Sequence, residues 1–445
     1  MKPTLIINPT GSLRTLQNLP KMSKILFKVI PFDFIHSYVR PSHAVRLASY
    51  LAEKGYECDI LDLATCIPFK RKKILKKFID GYEYFVFSSH FHHYSTIIEF
   101  AKFCKDINPN VKIVVEQFVG SFMYKEVLDK HLIDFALIGE SEKPLLDLVS
   151  GKKLSEIDGI AYKKNGKIYV NPKKPIKDLD SLPFPAWEKC KPIHFKYPPR
   201  YSVLASRGCP MRCIFCPESR WYSYPRFRDP KKVVDELEIL SNSKNLVGFS
   251  DPNFSISKKN VKRICEEIKN RKLEFSQLIA RCHIDFVDIE ILKMMKSAGF
   301  TDLYVGVESL LPVSLKFLNK TKNPIGYIKK CKMLLRYSNQ LGLKVASAYL
   351  IPLPGQTKQN ALNEIRFLKQ YSDVAVNYLT PFPGTPLWNK MKNMLITRDF
   401  SLFDTLHLVI KSHMKKEEIK EIHDYARPPS QSLKNYLDCI PIPAL

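Results

Sequence analysis

Ser206-Arg207-Gly208-Cys209-Pro210-Met211-Arg212-Cys213-Ile214-Phe215-Cys216-Pro217 sets three cysteines at the spacing C-x3-C-x2-C. The run follows a short apolar stretch, 201–205, that reads as a strand. Thiolates this close in sequence can wrap one metal centre without a long closing loop, and soft sulfur ligands select zinc or iron–sulfur clusters. Structural zinc takes four protein ligands, and no fourth Cys or His follows at close spacing. Three cysteines suit a [4Fe-4S] cluster with one iron left open, which makes Cys209, Cys213 and Cys216 the candidate metal ligands. A three-cysteine zinc loop, or three buried thiols, is the plain alternative.

Downstream, from 200 to 395, the chain reads as six strand–helix repeats. Strands are expected at 203–206, 246–250, 275–280, 303–307, 345–350 and 374–379, with helices over 230–241, 258–271, 287–298, 325–341 and 358–371. Alternation at about 30–45 residues per unit fits right-handed βαβ crossovers. Six units fall short of a closed eight-stranded barrel, and in barrels of this kind the site lies at the carboxyl ends of the strands. The cysteines leave the first strand at that end. The later strands end in Ser250-Asp251-Pro252-Asn253, Ala280-Arg281, Gly306-Val307-Glu308-Ser309, Leu353-Pro354-Gly355-Gln356 and Pro383-Gly384-Thr385-Pro386. An Asp-Pro-Asn turn or a surface arginine is the bland reading of these, whereas a buried glutamate seldom lacks a partner.

Upstream, 1–22 is proline-rich and reads as an irregular lead. Apolar strands at 25–30, 56–63, 84–88, 111–115 and 134–138 then alternate with helices at 42–54, 70–80, 96–106 and 123–130. Continuous apolar strands alternating with helices argue a parallel, doubly wound, Rossmann-like sheet, whose ligands sit beyond the strand carboxyl ends. His90, His92 and His93 stand just past the third strand. Residues 159–162 and 167–170, joined at Asn165-Gly166, read as a hairpin. A proline-stiffened linker, Leu182-Pro183-Phe184-Pro185, follows. The organisation expected is 1–158 Rossmann-like, 159–199 hairpin and linker, 200–395 a partial (βα)6 barrel, and 396–445 a small helical region closing it, with helices at 400–411 and 415–425.

The cysteine spacing, Phe215 before the last cysteine and the Arg-Gly-Cys-Pro lead-in resemble the radical S-adenosylmethionine superfamily. Gly139-Glu140-Ser141-Glu142 after the fifth strand, the linker and the Thr380-Pro381-Phe382-Pro383-Gly384-Thr385 run are similar to its class with an N-terminal cobalamin-binding-like domain. That resemblance implies an enzyme holding a [4Fe-4S] cluster and S-adenosylmethionine. It would generate a 5′-deoxyadenosyl radical and then methylate an unactivated carbon or form a carbon–carbon bond. It also implies cofactor contacts at Phe215, Ser250, Asp251, Arg281 and Glu308, and an electron donor such as ferredoxin or flavodoxin as partner. Cobalamin is expected with a departure. There is no D-x-H-x-x-G motif, since Asp33 and His36 stand one residue too far apart and no glycine follows, and Glu116-Gln117-Phe118-Val119-Gly120 stands where paired glycines are usual. A module that keeps the fold without the corrinoid therefore remains open.

The 445 residues carry 70 Lys plus Arg against 44 Asp plus Glu, a net charge of +26. Such a balance speaks to partners rather than fold. It points to an anionic amphiphile as substrate, with a membrane ether or isoprenoid lipid as the lead and an RNA or peptide as the alternative. The run Lys70-Arg71-Lys72-Lys73-Ile74-Leu75-Lys76-Lys77 is either a solvated helix face or a surface for anionic lipid, as in a peripheral membrane contact, or for RNA. Eleven cysteines are too sparse for a disulfide scaffold. No apolar stretch reaches the length of a spanning helix, no signal peptide is read, and a cytoplasmic enzyme is expected. A non-catalytic corrinoid or redox sensor is the rival of another class.

Overall fold

The computed structural model describes residues 25–29, 42–62, 71–187 and 200–426. The lead at 1–22, the Asp33–His36 stretch and the tail beyond 426 lie outside these.

Two sheets organise the chain. The first has seven strands in the order β2-β1-β3-β4-β5-β6-β7, with β1 Ile25–Val29, β2 Cys58–Asp62, β3 Tyr84–Ser89, β4 Lys112–Glu116, β5 Phe135–Leu137, β6 Ile160–Lys164 and β7 Lys167–Val170. The first five pair in parallel. Every residue of β3 is buried, as expected for a strand covered on both faces. The hairpin expected in the join is the antiparallel edge of this sheet: β6 pairs with β5, Leu137 opposite Ile160.

The second sheet has six parallel strands in the order β15-β14-β13-β12-β11-β8. They are β8 Arg200–Val203, β11 Asn242–Phe249, β12 Phe275–Cys282, β13 Asp302–Glu308, β14 Lys344–Ile351 and β15 Asp373–Tyr378, while β9 Ser206–Arg207 and β10 Arg226–Phe227 form a small ribbon beside β8. The sheet is the open, partial barrel expected. Its helices start where capping groups allow: the Asp229, Ser257, Asp288 and Thr357 side chains each accept from a backbone N–H of the first turn.

One expected helix is absent. Residues 400–411 form a single 3-10 turn, Phe400–Leu402, and then an irregular run with a bridge from Ile410 to Leu395. Asp399 accepts from Ser401 N, Asp404 accepts from Leu406 N and His407 N, and Thr405 is left-handed. Local side-chain acceptors here outcompete the helical ladder. This run lies along the barrel's edge strand, with Tyr378 N donating to Thr405 O. The helix Lys416–Ala426 forms as expected and stacks His423 on Tyr378. No helix among the described residues is long and apolar enough to cross a membrane.

Neither hydrophobic cluster respects the boundary between the sheets. One runs from Val45 and Leu51 on the helix Ser42–Glu53 to Val203 and Val247 in the barrel; the other joins Phe87 and Phe118 to Trp221, Leu318 and Leu379. Ionic groups complete the seam. Arg207 donates to Glu140 at 2.9 Å and to Glu142 at 2.5 Å, while Arg226 donates to both oxygens of Glu140. All four side chains are at most 5% exposed. Burial alone would raise the Glu142 carboxyl, but the Arg207 guanidinium overrides it and holds the group at about 2.

A depressed carboxyl stabilises above its unfolded pKa and loses that stabilisation as pH falls towards the folded value. Glu142→Gln should therefore cost about 3–5 kcal/mol at neutral pH, the cost of breaking a buried pair. The gap to wild type in urea unfolding should narrow steadily below about pH 4.5. A gap constant from about pH 6 to about pH 3 would show that the pair contributes nothing through its charge.

Candidate cluster site

The first barrel strand delivers the cysteines through a short, tightly determined path. Asp251, at the end of β11, accepts from Ala205 N at 3.0 Å and from Ser206 Oγ at 2.5 Å. Burial raises its carboxyl to about 6 against the pull of those donors. Ser250 bonds through its hydroxyl to Ser202 and donates its backbone N–H to Val203 O. Both residues, expected at the cofactor, thus hold the strand that leads into the loop. Gly208 turns the chain at φ +90°, and a Cβ there would sit 2.4 Å from Tyr224 O. A non-glycine residue would meet both backbone strain and a collision.

Past the turn the loop is gripped from two sides. Ile214 N donates to Leu318 O and Ile214 O accepts from Leu387 N, each at 3.0 Å. Asn319 Nδ2 donates to Arg212 O. Cys213 is buried, Cys209 and Cys216 are half-buried, and all three are free thiols. Phe215 is half-buried between the last two. Burial pushes the Cys213 thiol up to about 11 and the Cys216 thiol higher still. Thiols bind metal as thiolates, so loading the site releases protons. Among the described residues no three His, Cys, Asp or Glu side chains converge on a single-ion site.

Beneath the cysteines lies a buried ion pair, Lys320 Nζ to Glu308 Oε1 at 3.0 Å. Glu308 ends β13 at φ +64°, an uncommon conformation for glutamate. Ser309 Oγ and Leu310 N, the next two residues, donate to Glu364, which also accepts from Tyr349. That fixed turn aims Glu308 at Lys320. Gly306 leaves the room: a Cβ there would lie 2.5 Å from Glu308 Oε1 and 2.8 Å from Lys320 Nζ. Burial disfavours the charged lysine, yet Glu308 and the Cys213 and Cys216 sulfurs raise it overall, so it stays cationic.

Arg281, at the end of β12, is exposed and acts electrostatically on Glu218 and His90. Burial raises Glu218 to about 6 against Arg281 and His43, and it lowers His90 to about 4. His90, His92 and His93 form a folded 3-10 turn, with His90 N bonded to His93 Nδ1. The structure therefore gathers Glu308 with the cysteines, sets exposed Arg281 within electrostatic reach of Glu218 just after them, and bonds Ser250 and Asp251 to the strand that leads into the loop.

Two groups escaped the sequence reading. Lys320 sits in Asn319-Lys320-Thr321-Lys322, which reads only as a polar turn. Glu116 ends the apolar strand β4, and a carboxylate closing such a strand was the available signal. It is fully buried; His43 Nε2 at 2.7 Å and Ser141 Oγ at 2.9 Å donate to one oxygen. Its other oxygen has no partner among the described residues. The His43 ring lies 5.6 Å from that of Trp221, in the helix Glu218–Trp221 just after the cysteines.

Residues 203–368 match the family model described as Radical SAM superfamily. A relative described as an uncharacterized methyltransferase of Pyrococcus horikoshii is 30% identical over 448 residues, covering 95% of this chain and 90% of the relative. The anaerobic magnesium-protoporphyrin IX monomethyl ester cyclase of Rubrivivax gelatinosus is 28% identical over 327 residues, 69% of this chain and 58% of that enzyme. Among solved structures, the radical S-adenosylmethionine methyltransferase TsrM from Kitasatospora setae, with cobalamin and [4Fe-4S] cluster bound, superposes with a TM-score of 0.69 at 19% identity, covering 84% of this chain and 78% of that one.

Removing the lysine alone would strand Glu308. Lys320→Met should destabilise the chain by about 3–5 kcal/mol, and the double variant Lys320→Met/Glu308→Leu should recover most of that loss in urea unfolding. A double variant no more stable than Lys320→Met would mean that the pair is not the source of the cost.

Proposed function

Since the chain belongs to the radical S-adenosylmethionine superfamily, in the class with an N-terminal cobalamin-binding-like fold, we propose that it methylates, or closes a carbon–carbon bond at, an unactivated carbon of an anionic amphiphile. The observation that carries this is the union of three half-buried or buried cysteines with a buried Lys320–Glu308 pair at the strand ends of an open barrel.

Cys209, Cys213 and Cys216 would hold a [4Fe-4S] cluster, and their free thiols on one gripped loop are the donor set it takes. A cluster held there would supply the one electron that reductive cleavage of S-adenosylmethionine consumes, the chemistry by which an inert C–H bond would be opened. Lys320, kept cationic by its partners, would bind the carboxylate of the methionine moiety. Glu308, on a turn that Glu364 locks, would accept from its ammonium or from the ribose. Phe215 shields the loop from water. Exposed Arg281 would meet the anionic end of the substrate. These groups bind and orient; the hard chemistry is the cofactors' own.

The N-terminal sheet is proposed to bind a corrinoid beyond its carboxyl edge. Its support is the unpartnered oxygen of buried Glu116 beside His43, a polar spot at the edge where such sheets take ligands. With methylcobalamin present the product would be a methylated carbon; without it, a new ring or carbon–carbon bond. A membrane isoprenoid lipid remains the proposed substrate, chosen for the +26 charge.

Anaerobically reconstituted protein given S-adenosylmethionine and dithionite should release 5′-deoxyadenosine, and Cys213→Ala should lose both iron and that product. Glu308→Ala should keep its iron but bind S-adenosylmethionine at least about tenfold more weakly, the loss of one buried charge-assisted contact. Iron-replete wild type that makes no 5′-deoxyadenosine overturns the proposal. A lipid profile unchanged in a deletion strain removes the lipid as substrate while leaving the reaction class intact.

A further inference from the structure

The faces that grip the cysteine loop are unusually one-sided in charge. Between Glu308 and Glu364 the chain carries nine basic residues and no acidic one, and between Asp373 and Asp399 three basic and none acidic. The helix Pro312–Phe317 and the turn after it come from the first segment, and the helix Pro386–Met391 from the second. They touch the loop through Leu318, Asn319 and Leu387 and each other where Lys390 Nζ lies 6.0 Å from the Phe317 ring centroid. Lys316, Lys322, Lys390 and the loop's own Arg212 are exposed. Beside them Val313 and Ile325 stand 52% and 54% exposed. Elsewhere the surface lysines are commonly paired, as Lys72 is with Glu99 and Lys258 with Asp288 and Glu290.

This face covers the cysteines themselves. Pro210 and Arg212 are exposed on the same loop in which Cys213 is buried, and Arg212 acts electrostatically on the Cys209 thiol, so the basic face begins on the cysteine loop itself. Electron transfer falls off steeply with distance, which favours a donor that docks here over one that docks on the N-terminal sheet. Exposed branched aliphatics on the same two helix starts as exposed lysines, Val313 with Lys316 and Ile325 just after Lys322, mix apolar and charged groups as a protein interface does. A polyanion such as RNA would use the lysines and leave Val313 and Ile325 in water.

We propose that Lys316, Lys322 and Lys390, with Arg212, Val313 and Ile325, form the docking surface of a small acidic one-electron carrier protein. The inference rests on the reaction proposed above, which consumes one electron per cleavage. One electron leaves the reduced carrier, which is thereby oxidised by one, and enters the cluster held by the three cysteines; it then reduces the sulfonium. Long-range attraction between the basic face and an acidic carrier speeds encounter and is screened by salt.

The test is the rate at which hydroquinone flavodoxin bleaches the cluster absorbance in anaerobic stopped flow. Lys316→Glu/Lys322→Glu/Lys390→Glu should lower the second-order rate at least about tenfold at low salt, and the difference should shrink at about 300 mM salt, where the screening length is only some 6 Å. Photoreduced deazaflavin, a small reductant that needs no docking, should reduce both proteins equally. A charge-matched control on the helix Arg71–Lys76, Lys73→Glu/Lys76→Glu with Lys77→Glu, should leave the flavodoxin rate unchanged.

A triple variant as fast as wild type overturns the surface alone, as does a control that slows equally. Loss of binding to phosphatidylglycerol vesicles, with flavodoxin reduction untouched, would reassign the face to lipid and likewise overturn it. Wild type with no cluster that deazaflavin can reduce sinks the reaction first, and the surface with it.

Discussion

Arg207 is the hinge of the architecture. It is one residue from the glycine that turns the chain into the cysteine loop, and its guanidinium is committed to Glu140 and Glu142 of the other module. Arg226, on the strand paired with Arg207, clamps Glu140 from the far side. Desolvating four charges is expensive, and an apolar replacement of the same volume is often as stable. What the ionic version adds is direction: a planar guanidinium on two carboxylates fixes an orientation that a leucine cannot. The cysteine loop is therefore indexed to the N-terminal sheet, not merely attached to the barrel.

That indexing explains why two sheets share their cores. The Trp221 indole donates to Gly139 O at 2.7 Å, and its ring packs on Phe118. Phe91 of the N-terminal module stacks on Phe382 of the barrel at 4.8 Å. Lys173 donates to the carbonyls of Arg220 and Trp221. Each contact falls on residues 139–142, 218–222 or 382, which flank the mouth. Domains joined by a large apolar seam move little relative to one another.

Much of this was legible in the sequence, and the reasons differ by feature. Strand positions in both sheets were readable because buried parallel strands are continuous apolar runs, and the cysteine spacing fixed the loop. The Arg207 and Glu140 motifs were each visible as signatures, but nothing in a linear chain says that residues 67 positions apart neutralise each other. Lys320 was invisible for a related reason. Its burial comes from the turn at 318–323 folding onto the cysteine loop, while its local sequence is that of an exposed polar turn. The bonds from Asp251 to Ala205 N and Ser206 Oγ were not legible, because a strand-end carboxylate looks the same in sequence whether or not it also ties down the neighbouring strand. The missing helix at 400–411 failed on local chemistry, since Asp399 and Asp404 offer acceptors that a hydrophobic pattern does not register.

Two unequal uses of buried charge remain to be set side by side. In the Arg207 network every arginine meets a carboxylate, as a structural joint should. Glu116 is fully buried with one oxygen shared by His43 and Ser141 and the other without a partner among the described residues, as Glu142 Oε2 is within the network, but its ion-pair partner is a histidine and not a guanidinium. An orphaned buried acceptor costs about 1–3 kcal/mol, and a leucine at the end of β4 would remove that cost. The strained Glu308 turn is a second expense of the same kind, and it lies under the cysteines. Both sit at the carboxyl ends of their sheets, and the ionic joint fixes the distance between those ends. A group bound at the first edge and a radical formed at the second would thus meet across a separation set by Arg207, which is what coupling the two chemistries requires.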